Sequence, residues 1–213
     1  GFKITYESVN KNKTQLEQLS KIPDAKLREQ IKQQILAPTY YDLLFSGNTS
    51  LYKKTEENKE ENNLSDKNKN PNIKVMVVKN ESTGIYQNYK TGEYVSAQNF
   101  FGKDFYISDK TIKFHWKISN ETKKIGNFNC KKATSIYNEK PVEAWFSDEI
   151  PISVGPDVYN GLPGLIIQLD YDERTYNAIS VEKLSNKIDI EKPQQKGKVV
   201  TREEFIKIQN ERL

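Results

Sequence analysis

Short runs in which apolar and polar residues alternate, separated by turn-forming residues, constrain this chain more than any other feature. Phe2, Ile4 and Tyr6 alternate with polar neighbours, which is the period of a β-strand with one buried face. The same rhythm returns repeatedly beyond residue 40, and the runs end at Gly, Asn, Asp or Ser. Such spacing leaves no room for helical crossovers. It predicts a mainly β (α+β) fold with an antiparallel sheet that is curved or forms a half-barrel.

The predicted strands after residue 40 have β-branched or aromatic residues at alternate positions. A hairpin is predicted from Tyr40–Phe45, a turn at Ser46-Gly47-Asn48, and Ser50–Tyr52. Further strands are predicted over residues 73–78, 85–89, 94–101, 105–107, 112–118, 128–137, 142–146, 165–171 and 178–184.

Helices are predicted near both ends of the sequence, packed on the sheet. Thr14-Gln15-Leu16-Glu17 has the form of a capping box, and Pro23 ends that helix. Asp24 is the predicted cap of a second helix, in which Leu27, Ile31 and Ile35 share one face. Thr201-Arg202-Glu203-Glu204 is another capping box, which predicts a terminal helix from about residue 202 to residue 212.

Composition favours a single soluble domain over residues 1–213. Lys and Arg total 33 against 29 Asp and Glu, with both signs interspersed, so nucleic acid is not an expected partner. No apolar run approaches the roughly 18 residues of a membrane-spanning helix. Residues 53–72 are polar and are predicted to form a flexible loop. The start at Gly1, just before a strand, suits a periplasmic or secreted chain whose export signal has been removed.

Residues suited to catalysis are few. Cys130 and His115 each occur once, so they form the only possible thiol and imidazole pair. Strand parity places Cys130 toward the core and His115 on the opposite side, which predicts a buried structural cysteine. One Cys and one His favour no metal site, and no phosphate-binding or nucleophile motif is present. We expect no catalytic residue, metal or cofactor, while acids such as Asp148 and Glu149 leave a hydrolase open.

A segment rich in Gly and Pro follows residue 150, and it contains Gly155-Pro156 and Gly161-Leu162-Pro163-Gly164-Leu165-Ile166. Glycine can adopt positive φ, proline fixes its own φ, and an apolar run follows at once. This pattern predicts a rigid turn that feeds a buried strand, with structural roles for Gly155, Pro156, Gly161, Gly164 and Ile166. A loop so constrained could instead line a ligand cleft.

The hexapeptide resembles the motif that names the GLPGLI family, which is found widely in Bacteroidetes. Other residues match the family pattern and follow in its order: Trp116, Ile125-Gly126, Cys130-Lys131-Lys132-Ala133-Thr134, Ala144-Trp145 and Ile150-Pro151-Ile152. The resemblance is strong over residues 116–171 and looser toward both ends. It implies an exported protein without an established activity, whose layout is similar in style to the half-barrel carriers that move lipoproteins across the periplasm.

Aromatic residues are the remaining lead, because 12 Tyr, 9 Phe and 2 Trp can either fill a core or pave a ligand groove. We predict a non-catalytic binding or carrier protein of the cell envelope that holds an apolar or extended ligand on its β surface. Its expected partner is a lipid, a peptide or an outer-membrane protein. The alternatives are a scaffold or partner subunit of an outer-membrane or surface complex, and an envelope hydrolase. The predicted lining of the ligand site is Trp116, Trp145, Tyr159, Leu162, Pro163 and Leu165.

Overall fold

The structure, a computed structural model, describes residues 1–55 and 83–212 and is mainly β, as predicted. The strand order β12-β6-β5-β4-β3-β2-β1-β11-β10-β9-β8-β7 describes an open sheet. Three α-helices lie in the described residues: α1 (Lys13–Gln18), α2 (Ala25–Ile35) and α3 (Arg202–Asn210). The strands are β1 (Phe2–Asn10), β2 (Thr39–Ser46), β3 (Thr49–Lys54), β4 (Ile85–Asn88), β5 (Glu93–Phe100), β6 (Lys103–Lys110), β7 (Lys117–Ile125), β8 (Phe128–Tyr137), β9 (Lys140–Ser147), β10 (Leu165–Tyr171), β11 (Arg174–Lys183) and β12 (Lys198–Val200).

Strand pairing is antiparallel for the neighbours from β3 to β6 and from β7 to β11, which confirms the predicted sheet type. Strand β12 differs from these, because it pairs in parallel with β6, and it was not predicted. Three residues are too few for a visible alternation, and their partner strand lies far away in sequence.

Two predicted strands, β8 and β10, have the bounds that the sequence pattern indicated. The strand predicted over residues 112–118 is wrong, because β7 begins only at Lys117 and residues 111–116 lie outside any strand. The apolar rhythm there has another cause. The Trp116 indole N–H donates to the Asn160 carbonyl (2.8 Å), and the Asn160 amide donates to the Ile112 carbonyl (3.1 Å).

The β3–β4 connection was predicted to contain a strand at residues 73–78 and a polar loop at 53–72. Lys53 and Lys54 end β3, and residues 56–78 lie outside the described residues.

Helix caps follow the sequence at two of three sites. Asp24 caps α2 by accepting from the Leu27 N–H (2.9 Å), and Thr201 and Glu204 form the expected capping box of α3. The cap predicted at Thr14 is wrong. Asn12 caps α1 instead, because its side chain accepts from the Gln15 N–H (3.3 Å), so Thr14 lies inside the helix.

The described residues group into two compact units, each assembled from separate segments. The first unit takes residues 1–4, 42–111 and 182–213, as far as they are described, and the second takes 5–41 and 112–181. In the first unit, Phe205 of α3 packs its ring against Phe100 and Phe105, with ring centroids 5.9 and 5.3 Å away. The motif segment and its sheet belong to the second unit. The expectation of one domain over residues 1–213 stays a prediction.

Gly197 offers a test of how β12 docks in the first unit. A Cβ at Gly197 would lie 1.9 Å from the Asp104 carbonyl oxygen, and the residue has φ +72°. We expect Gly197→Ala to lower the free energy of unfolding by about 3 kcal/mol, since backbone must move. Urea denaturation measures this.

Gly102→Ala is the matched control, because Gly102 has φ +76° but no atom within 4 Å of the position that a Cβ would take. This variant carries the conformational cost alone, about 1 kcal/mol. Equal losses in the two variants would show that the close approach at Asp104 has no energetic weight.

Candidate functional site

The loop between β9 and β10, residues 148–164, is tied to itself and to the strand that follows. Val154 and Asn160 form an isolated antiparallel bridge. The N–H of Leu165 donates to the Ile150 carbonyl (3.0 Å), and the N–H of Ile166 donates to the Val154 carbonyl (3.1 Å). These contacts hold the loop backbone at both its middle and its end. We call residues 148–164 the motif loop.

Three glycines of the motif loop have geometric reasons to lack a side chain. A Cβ at Gly164 would lie 2.2 Å from the Ser147 carbonyl oxygen, which is backbone and cannot turn aside. A Cβ at Gly155 would lie 2.6 Å from Cδ1 of Ile166, and Gly161 has φ +97°. The close approach at Gly164 brings the loop down onto β9 just before β10 begins.

The motif loop lies on one face of the second unit's sheet. Tyr176 of β11 pairs with Leu169 of β10, so the two side chains share a face. The Tyr176 hydroxyl reaches Asp157 of the loop (3.1 Å), and the Tyr6 hydroxyl of β1 donates to the Ile166 carbonyl (2.6 Å). Leu162 is 1% exposed, and burying such a side chain contributes about 2 kcal/mol.

Six aromatic side chains meet where the motif loop crosses this face, and we call them the aromatic cluster. Neighbouring ring centroids lie between 5.3 and 6.2 Å apart. Two rings, Tyr159 and Tyr176, are buried at 3% and 4% exposure, whereas the others are half-buried. The cluster consists of Phe114, Trp116, Tyr137, Tyr159, Tyr171 and Tyr176.

Hydrogen bonds to backbone hold two of the half-buried rings in place. The Trp116 indole N–H donates to the Asn160 carbonyl (2.8 Å), and the Tyr171 hydroxyl donates to the Tyr137 carbonyl (3.1 Å). The polar atoms of these side chains are thus used within the chain. Both residues are half-buried, so part of each side chain remains exposed.

Two oppositely charged residues, Asp157 and Arg174, border the aromatic cluster. Asp157 has φ +55° and accepts from the Tyr176 hydroxyl, and the Arg174 guanidinium donates to the Ser8 hydroxyl (3.1 Å). Burial raises the pKa of Asp157, while the Tyr176 hydroxyl and Arg174 act in the opposite direction. Burial also raises the pKa of Tyr41. The charge of Arg174 lowers that pKa, and the charge of Asp157 raises it further.

The predicted ligand-site residues fall into four environments. Trp116 and Tyr159 belong to the aromatic cluster. Leu162 and Leu165 are buried at 1% and 0% exposure, and Pro163 is exposed.

Trp145 lies apart from the other predicted ligand-site residues. Its side chain leaves β9 on the face opposite Ala144, where Lys123 Nζ lies 4.2 Å from the ring centroid. Of the predicted ligand-site residues, the structure thus brings only Trp116 and Tyr159 together in the aromatic cluster, with Trp116 half-buried and Tyr159 buried.

Several residues of this site were missed by the sequence analysis: Phe114, Tyr137, Tyr171, Tyr176, Asp157 and Arg174. Tyr137 and Tyr171 each end a strand directly before a tight turn, and Arg174 follows the second turn. The bounds of β8 and β10 were predicted, so the shared strand-end position of the two tyrosines was a usable signal. No sequence pattern indicates that Asp157 reaches Tyr176.

Cys130 is 1% exposed, and its thiol contacts the Phe128 carbonyl at 3.6 Å. The His115 carbonyl accepts from the Ser135 hydroxyl (3.1 Å), and Ser135 lies five residues along β8 from Cys130, or about 16 Å. The two residues therefore do not form a catalytic pair. Over residues 1–55 and 83–212, no group of three or more His, Cys, Asp or Glu residues could hold a metal ion.

None of the three α-helices in the described parts of the chain is long and apolar enough to cross a bilayer.

Comparisons with known proteins give a family match over a short stretch and a match of fold. Residues 134–168, which include the hexapeptide, match the family described as a protein of unknown function (Porph_ging). None of the curated proteins matches this chain. The GLPGLI resemblance itself stays a prediction.

Two crystal structures of PNGF-II have a similar fold. They are in the C2 and P21 space groups, at 15% and 17% identity and TM-scores of 0.60 and 0.58. Each match covers 97% of this chain and 32% of that chain, so this chain spans about a third of the length of PNGF-II. At this identity the likeness concerns the fold alone.

The charged group at Asp157 predicts a pH-dependent stability. Because burial raises the folded-state pKa above 3.8, the folded chain holds this proton more tightly than the unfolded chain. The free energy of unfolding contributed by Asp157 therefore falls as pH rises from 3.8 through the raised pKa. We expect Asp157→Asn to gain stability relative to the natural chain across that interval.

Urea denaturation between about pH 3 and pH 7 measures this difference. Asp172→Asn is the control, because Asp172 is an exposed carboxylate in the turn after β10. Parallel stability curves for Asp157→Asn and the natural chain would contradict the expectation.

We predict that the Cys130 thiol is unreactive in the folded chain. Burial raises its pKa from 9.0 to about 11, so its thiolate fraction near neutral pH falls about a hundredfold. We expect alkylation by iodoacetamide to be slow in buffer and fast in urea, as followed by mass spectrometry. Rapid alkylation of the folded chain would contradict this prediction and would favour a catalytic role for Cys130.

Proposed function

We propose that this chain is a non-catalytic binding or carrier module of the cell envelope. It holds an apolar or extended ligand against the aromatic cluster, on a β surface that we propose is curved as in a half-barrel. The main observation in its support is that four aromatic residues of the cluster are half-buried although buried residues beside them already form a packed core. The four are Phe114, Trp116, Tyr137 and Tyr171. Ligand sites combine such apolar surface with few polar anchors.

Rigidity of the surrounding backbone supports the proposal. The motif loop is bonded to β10 at Leu165 and Ile166 and approaches β9 at Gly164. A surface fixed in advance loses less conformational entropy when a ligand binds. The cluster thus suits binding, and the separation of Cys130 from His115 removes one catalytic alternative.

Placement in the periplasm or outside the cell is part of the same proposal. It is supported by the hexapeptide, through its resemblance to the motif of an exported family. Lipid, peptide and outer-membrane protein are the ligands or partners we propose.

A second candidate function is a partner subunit that pairs through a sheet edge. The strand order ends at β7, a nine-residue strand with mostly exposed side chains. Such an edge can accept a strand from another chain. Against this, β7 carries Lys117, Lys123 and Lys124, and its register shifts between Ile118 and Thr122. Lysines and bulges are devices that keep edge strands unpaired.

A ligand retained during gentle isolation from the cell envelope tests the main proposal. We expect native mass spectrometry of the natural chain to show a mass increment that Trp116→Ala reduces about tenfold, since a central aromatic contact contributes over 1 kcal/mol. Trp145→Ala is the matched control, because Trp145 lies on the opposite sheet face.

An increment that persists in Trp116→Ala would place the ligand elsewhere. A bare chain of the natural sequence would count against carriage altogether. A stoichiometric protein partner lost on substituting Pro for an edge residue of β7 would favour the second candidate.

A further inference from the structure

The polar border of the aromatic cluster narrows the class of ligand. Arg174 and Asp157 carry opposite charges and influence one another, but they form no direct ion pair in the described chain. Within residues 1–55 and 83–212, the Arg174 side chain makes one hydrogen bond, to the Ser8 hydroxyl, and a guanidinium has further donors. The Asp157 carboxylate accepts from the Tyr176 hydroxyl and from the Val158 N–H, and a carboxylate has room for further hydrogen bonds. Both residues are half-buried.

The border therefore offers hydrogen-bond donors and acceptors together, with little net charge. A phosphate or a fatty-acid carboxylate would gain contacts from Arg174, but the Asp157 carboxylate would repel it. An alkyl chain would leave both charged groups partly desolvated without a partner. A ligand with hydroxyl groups satisfies both, because each hydroxyl donates and accepts.

The aromatic cluster sets the second requirement, an apolar face. Trp116 and Phe114 stack with centroids 5.5 Å apart and an interplanar angle of 30°, so each ring partly covers one face of the other and their outward faces are similarly oriented. Tyr137 and Tyr171 extend the surface, with centroids 5.5 Å apart. A pyranose ring carries C–H groups on its face and hydroxyls around its edge.

We infer that the ligand of the aromatic cluster is an uncharged oligosaccharide, an inference that rests on the proposed function. Sugar rings lie on the faces of Phe114 and Trp116, and their hydroxyls bind Arg174 and Asp157. An oligosaccharide has several sugar rings and can contact several aromatic rings of the cluster at once, which a compact metabolite cannot. A peptide strand would instead need a free sheet edge for its backbone hydrogen bonds.

Tryptophan fluorescence reports on this site, because the sequence has two Trp residues. Trp145→Phe leaves Trp116 as the reporter inside the cluster, and Trp116→Phe leaves Trp145 on the opposite face. An array of natural oligosaccharides first identifies sugars that bind the full chain. Titration then uses the best array sugar, dodecanoate, and the blocked peptide acetyl-Ala-Ser-Ala-Ser-Ala-Ser-amide.

We expect the array sugar to change the emission of the Trp145→Phe chain and to leave that of the Trp116→Phe chain unchanged. Arg174→Met and Asp157→Asn should each weaken binding about tenfold. Lys140→Met is the matched control, since it removes a cation from the exposed Lys140–Asp172 pair near the same turns. Circular dichroism verifies that each variant is folded.

Binding of dodecanoate or the peptide at Trp116, with no sugar bound, overturns the sugar inference and keeps the proposed binding function. Sugar binding that is insensitive to Arg174→Met and Asp157→Asn also overturns it. If no probe binds and the isolated chain carries no ligand, the proposed function falls as well.

Discussion

The contact between Gly164 and the Ser147 backbone is the constraint on which the candidate site depends. No side chain fits there, because a Cβ would meet the carbonyl oxygen of Ser147. The contact fixes where the motif loop ends and β10 begins, and the hydrogen bonds of Leu165 and Ile166 then align the loop with its own strand. Tyr159 and Asp157 follow from that placement, since the loop carries both toward Tyr176.

The site joins a rigid apolar surface to a polar border. Trp116 and Tyr171 have satisfied their own polar atoms with backbone carbonyls, so these rings offer apolar faces without an unpaired donor. Asp157 and Arg174 are the reverse case, because each keeps hydrogen-bonding capacity beside the rings. This division of roles is typical of binding sites, in which shape comes from apolar groups and orientation from a few polar ones.

Local pattern explains which elements could be predicted. The alternation in β1, β8 and β10 and the cap at Asp24 depend on neighbouring residues, and the structure has them where the sequence indicated. Residues 112–116 have the same alternation, but Phe114 and Trp116 pack against the motif loop instead of entering a strand. Alternation records which side chains are buried and not what buries them. Strand β12 was missed because its partner, β6, is remote in sequence.

The sequence by itself determined the mainly antiparallel β character, the two helix caps at Asp24 and Thr201, and the stiff turn at Gly161 to Gly164, since each is a property of adjacent residues. Only the tertiary structure decided that Trp116 and Tyr159 share a surface while Trp145 faces away. It also decided that Asp157 and Arg174 border that surface. Such meetings depend on strand register and loop path, which bring together residues far apart in the chain and leave no periodic trace in it.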